Sequence, residues 1–158
     1  MPIHSKPETW GGNSMSKQCL SYFIRYLPIG KTILELGSGW ASGELAKRWN
    51  VWSIENNPVW FKKYHDQAFL VPLKNGWYDR EILKESISGL KYNMLLIDGP
   101  YDNREGLLDN LDLFDTSVKM IFDDVRRERG RAVLEAVSQE VGRSFSIRGS
   151  DRSMFGVI

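Results

Sequence analysis

The sequence predicts an α/β fold: a mostly parallel sheet flanked by helices, whose last two strands pair antiparallel or lie apart. Three observations predict it. Short apolar runs alternate with helical patterns along most of the chain. The run Met94-Leu95-Leu96-Ile97 is continuously apolar, as a strand covered on both faces requires. The last two strand-like runs are joined by a short turn, which cannot connect parallel neighbours. A length of 158 residues corresponds to about one domain, so residues 1–158 are expected to fold as a single unit.

Each element has its own signal. Asn13 or Ser14 can cap a first helix that presents Leu20, Phe23, Ile24 and Leu27 on one side, and Pro28 and Gly30 end it. The first strand is Thr32 to Leu36. A helix over Ala41 to Trp49 follows, then a second strand from Val51 to Glu55. Asn57-Pro58 reads as a cap and first helical position, predicting a helix to about His65. A short third strand, Ala68 to Val71, is closed by Pro72. Asp79 is placed to cap a helix that reaches Ile87, with Gly89 after it. Tyr92 to Asp98 is the strongest strand. Asn103 to Phe114 reads as a helix and Val118 to Phe122 as strand five. A helix carrying Ala132, Val133, Ala136, Val137 and Val141 comes next. Ser144 to Arg148 and Ser153 to Ile158 are strands six and seven, turning at Gly149-Ser150-Asp151.

Composition excludes several classes. A net charge of +1 gives no global attraction to nucleic acid or membrane. No apolar run approaches the ~20 residues that span a bilayer. Cys19 is the single cysteine, so an internal disulfide is impossible, and a cytoplasmic setting is expected. The six tryptophans, Trp10, Trp40, Trp49, Trp52, Trp60 and Trp77, are expected mainly in the core. Trp40 and Trp77 are also placed to line a crevice.

The segment Ile33-Leu34-Glu35-Leu36-Gly37-Ser38-Gly39 carries most of the functional information. A strand ends in an acid and a glycine turn, a helix follows, and the next strand ends in Glu55, 20 positions beyond Glu35. Glycines let the main chain approach a ligand, and a carboxylate after the second strand can accept from both ribose hydroxyls. Gly37-x-Gly39-x-x-Ser42 also nearly satisfies a dinucleotide fingerprint. Glu35 argues against that reading, because an acid there repels a pyrophosphate but suits a cation.

With these residues in view, the chain resembles the class I S-adenosylmethionine-dependent methyltransferases over nearly its whole length. The resemblance rests on Glu35 to Gly39, on Glu55, on Asp98 ending strand four, and on the closing hairpin. It implies a three-layer Rossmann-like sandwich with a seven-stranded sheet and S-adenosyl-L-methionine as cofactor. It also implies that residues 1–30, including His4, cover the cofactor site. Gly37, Ser38 and Gly39 would present backbone to the cofactor. Glu35 would help hold its amino group, Glu55 its ribose, and Asn56 would lie beside its adenine. Asn75 and Asp79 are candidates near the adenine amino group, with Trp77 in the same wall. Asn75-Gly76 also reads as a turn.

The acceptor is expected where the fourth and fifth strands end, at Asp98-Gly99-Pro100-Tyr101 and Asp123-Asp124-Val125-Arg126-Arg127. Asp98, then Asp124 and Asp123, are the catalytic candidates; Tyr101, Arg104 and Arg127 are the substrate candidates. Catechol-type relatives bind Mg²⁺ with an acid and an Asp-Asn pair in these places. Here the pair is Asp-Asp, so no metal ligand is assigned. Asp123 or Asp124 as a helix cap is the plainer alternative. Amino-methyltransferases of nucleic-acid bases carry Asp/Asn-Pro-Pro-Tyr, from which Asp98-Gly99-Pro100-Tyr101 departs by one residue. The expected activity is O-methylation of a small molecule or sugar. N-methylation of a base or other amine, and a cofactor-binding subunit without chemistry, are the alternatives. Arg126, Arg127, Arg129 and Arg131 form a basic run, and His65 is expected at a helix end facing solvent.

Overall fold

The protein is described by a computed structural model covering residue 10, residues 15–100 and residues 103–158. Helix α1, Lys17–Tyr26, begins at Ser16, whose Oγ accepts from the Cys19 amide at 3.1 Å. The expected caps, Asn13 and Ser14, lie outside the described residues. Strand β1 (Thr32–Leu36), helix α2 (Trp40–Ala46), β2 (Asn50–Glu55) and β3 (Ala68–Leu70) follow. A small hairpin of β4 (Leu73–Lys74) and β5 (Trp77–Tyr78) leads into α3 (Arg80–Ile87). Then come β6 (Met94–Ile97), a 3₁₀ segment at Arg104–Leu113, β7 (Lys119–Asp123), α4 (Glu128–Val141), β8 (Ser146–Arg148) and β9 (Phe155–Val157).

Seven strands form one sheet in the order β3-β2-β1-β6-β7-β9-β8. All neighbours pair parallel except β9, which runs antiparallel to both β7 and β8. Period-two alternation sorts the side chains into two cores. Ile33, Val51, Met94, Leu96 and Ile121 face α1 and α2. Leu34, Leu36, Leu95, Ile97, Met120 and Phe122 face α3, the 3₁₀ segment and α4. The sandwich of three layers is thus the expected one. Strand order reverses between β1 and β6, so their end loops part to opposite sides. A crevice at a parallel sheet's carboxyl edge opens at such a point.

Three elements differ from expectation, each for a local reason. Residues 57–65 make turns instead of a helix. Asn57 does cap them, its Oδ1 accepting from Val59 N at 3.0 Å, but Lys62 sits at φ 56° and stops propagation. The stretch Val59-Trp60-Phe61 is also rich in residues that lose side-chain freedom in a helix. Second, Asn75-Gly76, with φ of 56° and 85°, builds a tight hairpin where only a turn was read. Third, residues 104–113 wind as 3₁₀ helix rather than α-helix.

The caps explain two other assignments. Asp79 accepts from Glu81 N and Ile82 N at 3.1 and 3.2 Å and starts α3. Helix α4 is entered at Arg127, so neither Asp123 nor Asp124 caps it. No helix among the described residues is long and apolar enough to cross a membrane.

The 3₁₀ segment is held down by close packing. A Cβ at Gly106 would lie 2.4 Å from Trp77 Cγ. Gly106→Ala is expected to destabilise the fold by about 2 kcal/mol through overpacking, read as a lower urea midpoint with an unchanged denaturant slope.

Candidate active site

The site begins where β1 ends. Gly37 turns the chain at φ 93°, and its amide donates to Ile54 O at 2.8 Å. A Cβ here would stand 3.3 Å from both the Asp98 carbonyl carbon and the Gly99 nitrogen. Gly99 is equally confined, its Cβ position lying 3.2 Å from Gly37 Cα and 2.8 Å from Tyr78 Oη. The two end loops therefore touch main chain to main chain at the point of strand reversal. Only glycine permits that approach.

Two carboxylates flank this contact. Glu55, at the end of β2, is 6% exposed. Its Oε1 accepts from Ser38 N at 3.0 Å and its Oε2 from Asn57 N at 2.7 Å. Each oxygen keeps acceptor capacity for a further donor. Asn56, between Glu55 and Asn57, is partly exposed.

Glu35 is 3% exposed and lies in β1 beneath the turn. It accepts hydrogen bonds from Ser42 Oγ and, at 3.4 Å, Ser53 Oγ. Ser42 Oγ also accepts from Gly39 N at 3.0 Å, which fastens the turn to α2. Burial pushes the Glu35 pKa from its ordinary 4.5 to about 8, aided by the charges of Glu55 and Asp123 and opposed by the two serines. His65 Nε2 stands 2.7 Å from Ser53 Oγ, so His65 joins this network instead of facing solvent, and burial lowers its pKa. The expected solvent-facing position assumed a helix that does not form.

A second cluster lies across the crevice. Asp98 follows β6 and Asp123 ends β7. Their carboxyls are hydrogen-bonded to each other, and burial together with mutual repulsion raises the pKa of Asp98. Burial also raises that of Asp123, though the bond from Asp98 offsets part of the rise. The Asp98 side chain retains 30% of its surface, so solvent tempers its rise. Arg104 spans both strand ends. It donates to Asp123 O at 2.5 Å, to Asp98 O at 3.1 Å and to Asp98 Oδ1 at 3.4 Å. Asp124 stands beside the pair with φ 49°. Arg127 is exposed at the start of α4. Tyr101 lies outside the described residues.

This cluster does not fit a hard dication. Two carboxyls bonded to each other and to a guanidinium offer few free oxygen donors. Among the described residues, no three acids, histidines or cysteines are grouped to hold a metal.

The remaining predicted residues lie in the β4–β5 hairpin and at the start of α2. Asn75 is exposed in the hairpin turn. Trp77 is 4% exposed and packs into the core, its ring 6.4 Å from that of Phe114. Trp40 stands at the start of α2, directly after Gly39, and meets Trp10 edge-on at 5.2 Å. Tyr78, by contrast, was missed. It is 2% exposed, beside Gly99, and Glu55, Asp98, Arg104 and Glu35 act on its ionisation. Asn-Gly between Leu73-Lys74 and Trp77-Tyr78 was the available hairpin signal. A hollow of about 300 Å³ bordered by Lys84, Ile87, Tyr92, Asp112 and Asp115 lies at the opposite end of the sheet.

No family model and no curated protein matches the chain. Solved structures do resemble it. A protein assigned as a caffeoyl-CoA O-methyltransferase from Staphylococcus aureus superposes with a TM-score of 0.60 at 16% identity, covering 88% of this chain and 79% of its own. A methyltransferase from Pyrococcus furiosus gives 0.55 at 15% identity, covering 88% and 78%. The MycE methyltransferase of the mycinamycin biosynthetic pathway, solved with Mg and SAH, gives 0.52 at 13% identity, covering 92% of this chain and 49% of its own. The chain has the class I methyltransferase fold.

Glu35 makes stability depend on pH. Its folded pKa exceeds the unfolded value, so between about 4.5 and 8 the folded protein keeps a proton that the unfolded chain has lost. Stability from this group therefore falls as pH rises through that window. Glu35→Gln removes the effect and is expected to gain on the wild type progressively, reaching about 4 kcal/mol at pH 8. Urea unfolding of both proteins at pH 5, 6, 7 and 8 measures it; parallel curves would refute the assignment.

Proposed function

We propose that the protein transfers the methyl group of S-adenosylmethionine to an oxygen atom of a small molecule or sugar. The observation that carries this reading is Glu55, pinned by the Ser38 and Asn57 amides at the edge of the glycine turn. A fixed carboxylate with spare lone pairs suits the two hydroxyls of a ribose. The fit extends to buried polar atoms. Ser38 Oγ and Tyr78 Oη have no hydrogen-bond partner among the described residues, and both belong to this crevice. Glu35, buried and accepting from the Ser42 and Ser53 hydroxyls, suits the ammonium end of a cationic nucleoside. When bound, that cofactor supplies an electrophilic methyl group on a sulfonium centre.

The chain's own residues would do the rest. Gly37 and Gly39 leave room for the ligand, and Asn56 adjoins the nucleoside side. An acceptor hydroxyl must lose a proton, and a carboxyl whose pKa is raised above its ordinary value is a stronger base. Asp98 and Asp123 have that character. Arg104 orients Asp98 and favours its charged form. Asp124 and Arg127 would border the acceptor side. An amine acceptor would need such a base less, which favours oxygen.

Thermal unfolding with S-adenosylmethionine, S-adenosylhomocysteine and NAD tests the class. At a hundredfold excess over Kd the first two are expected to add about 2.7 kcal/mol, or roughly 5–10 °C for a chain of this size, and NAD nothing. An equal response to NAD would overturn the reading.

Two substitutions test the roles. Glu55→Ala is expected to weaken S-adenosylhomocysteine binding about 30-fold, the loss of charge-assisted bonds worth about 2 kcal/mol, while Glu128→Ala leaves it unchanged in calorimetry. Asp98→Asn is expected to cut transfer to hydroxyl acceptors by about a hundredfold or more with binding retained. Transfer at the wild-type rate would remove Asp98 from the chemistry. Binding without transfer to any acceptor would favour a non-catalytic cofactor-binding subunit.

A further inference from the structure

Tyr78 carries a hydroxyl that the free protein does not use. It is 2% exposed, and its Oη has no hydrogen-bond partner among the described residues. Folding removed that hydroxyl from water without replacing the bond, which is unfavourable. A phenylalanine would fill the same volume without that loss, so the hydroxyl is a cost that packing alone does not explain.

Its position gives a reason. The hairpin turn at Asn75-Gly76 folds β5 back over the carboxyl edge of the sheet, and Gly76 is seated closely on Asn103, one residue before Arg104. This delivers Tyr78 Oη to within 2.8 Å of the Cβ position of Gly99, where Gly99 touches Gly37. The phenol thus lies where the donor-side loop and the acceptor-side loop meet. Burial above all, then the neighbouring carboxyls of Glu55 and Asp98, hold the phenol in its protonated form, and Arg104 opposes them in part. It is therefore a hydrogen-bond donor at any physiological pH.

Trp77 offers a comparison within the same strand. Its Nε1 is also buried without a partner among the described residues, but its ring packs on Gly106 and Phe114 in the core. Two adjacent unpaired donors are thus distinguished by their surroundings: one among apolar groups, the other among the ionisable groups of the crevice.

We propose that Tyr78 is a binding residue for the methyl donor, its phenol donating a hydrogen bond to the bound nucleoside; this rests on the function proposed above. The consequence is an opposed pair of effects. Removing the hydroxyl relieves the free protein and weakens the complex. A residue that serves packing alone moves stability and leaves affinity untouched.

Tyr78→Phe and, as a control, Trp77→Phe separate these cases. Each is examined by thermal unfolding of the free protein and by calorimetry with S-adenosylhomocysteine. The expected result for Tyr78→Phe is a free-protein Tm equal to or above wild type and a Kd about tenfold weaker. Trp77→Phe is expected to lower Tm and to keep the wild-type Kd. An unchanged Kd in Tyr78→Phe overturns the inference. So does a loss of folding in that variant, or an equal loss of affinity in Trp77→Phe. If the wild-type protein takes up no S-adenosylhomocysteine, the proposed function falls and this inference with it; a wild type that binds beside a Tyr78→Phe variant that binds equally well sinks the inference alone.

Discussion

The contact between Gly37 and Gly99 is the constraint on which the site depends. Both lie just past the ends of β1 and β6, the neighbours between which strand order reverses. A Cβ on Gly37 would stand 3.3 Å from Gly99 N, and one on Gly99 3.2 Å from Gly37 Cα, closer than side chains ordinarily pack. That closeness sets the separation of everything attached to the two loops. Ser38, one residue on from Gly37, gives its amide to Glu55. Asp98, one residue before Gly99, meets Arg104. A side chain at either glycine would push the loop after β1 from the loop after β6. An order of elements, dictated by topology, thus becomes a distance between chemical groups.

Charge is distributed against the average. The chain carries +1 overall, yet Glu35, Glu55, Asp98 and Asp123 collect at the carboxyl ends of four adjacent parallel strands. Such a group of acids resolves its repulsion by holding protons or by holding cations. At the ends of β6 and β7 both occur, because Asp98 and Asp123 are hydrogen-bonded together and Arg104 lies across them. In β1 the solution is a proton on Glu35, which burial retains near neutrality. A cationic ligand can displace that proton and an anionic one cannot. The electrostatics that made Glu35 informative in the sequence therefore act through its protonation.

Legibility followed the range of the interactions. The central strands β1, β2, β6 and β7 were visible as apolar runs, since burial on two faces leaves little polar alternation to confuse. Glu35, Gly37, Glu55, Asp98 and Asp123 were visible because strand ends next to glycine or acid are local signals. The Asn57 helix failed because a correct cap cannot extend a turn that Lys62 closes at positive φ. Tyr78 escaped because a two-residue strand is too short to show a period. Arg104 was read only as a wall of the pocket. Its bonds to Asp98 and Asp123 bridge 6 and 19 residues and exist only once the 3₁₀ segment is folded. The link from His65 to Ser53 and Glu35 has the same character: three unremarkable residues on separate elements, joined by packing.

The features that point to function are those that a sequence chosen for stability alone would lack. A buried acid that must keep its proton, two acids sharing one site, and hydroxyls at Ser38 and Tyr78 without partners each work against the folded free chain. Folded domains hold only about 5–15 kcal/mol in reserve, so several such terms together are a large fraction of it. They are concentrated at one edge of the sheet, while the two cores on its faces are apolar and closely packed. The natural reading of that asymmetry is thermodynamic. The free protein is incomplete at this edge, and a ligand that supplies acceptors to the hydroxyls and positive charge to the carboxyls gains affinity from what folding left unsatisfied.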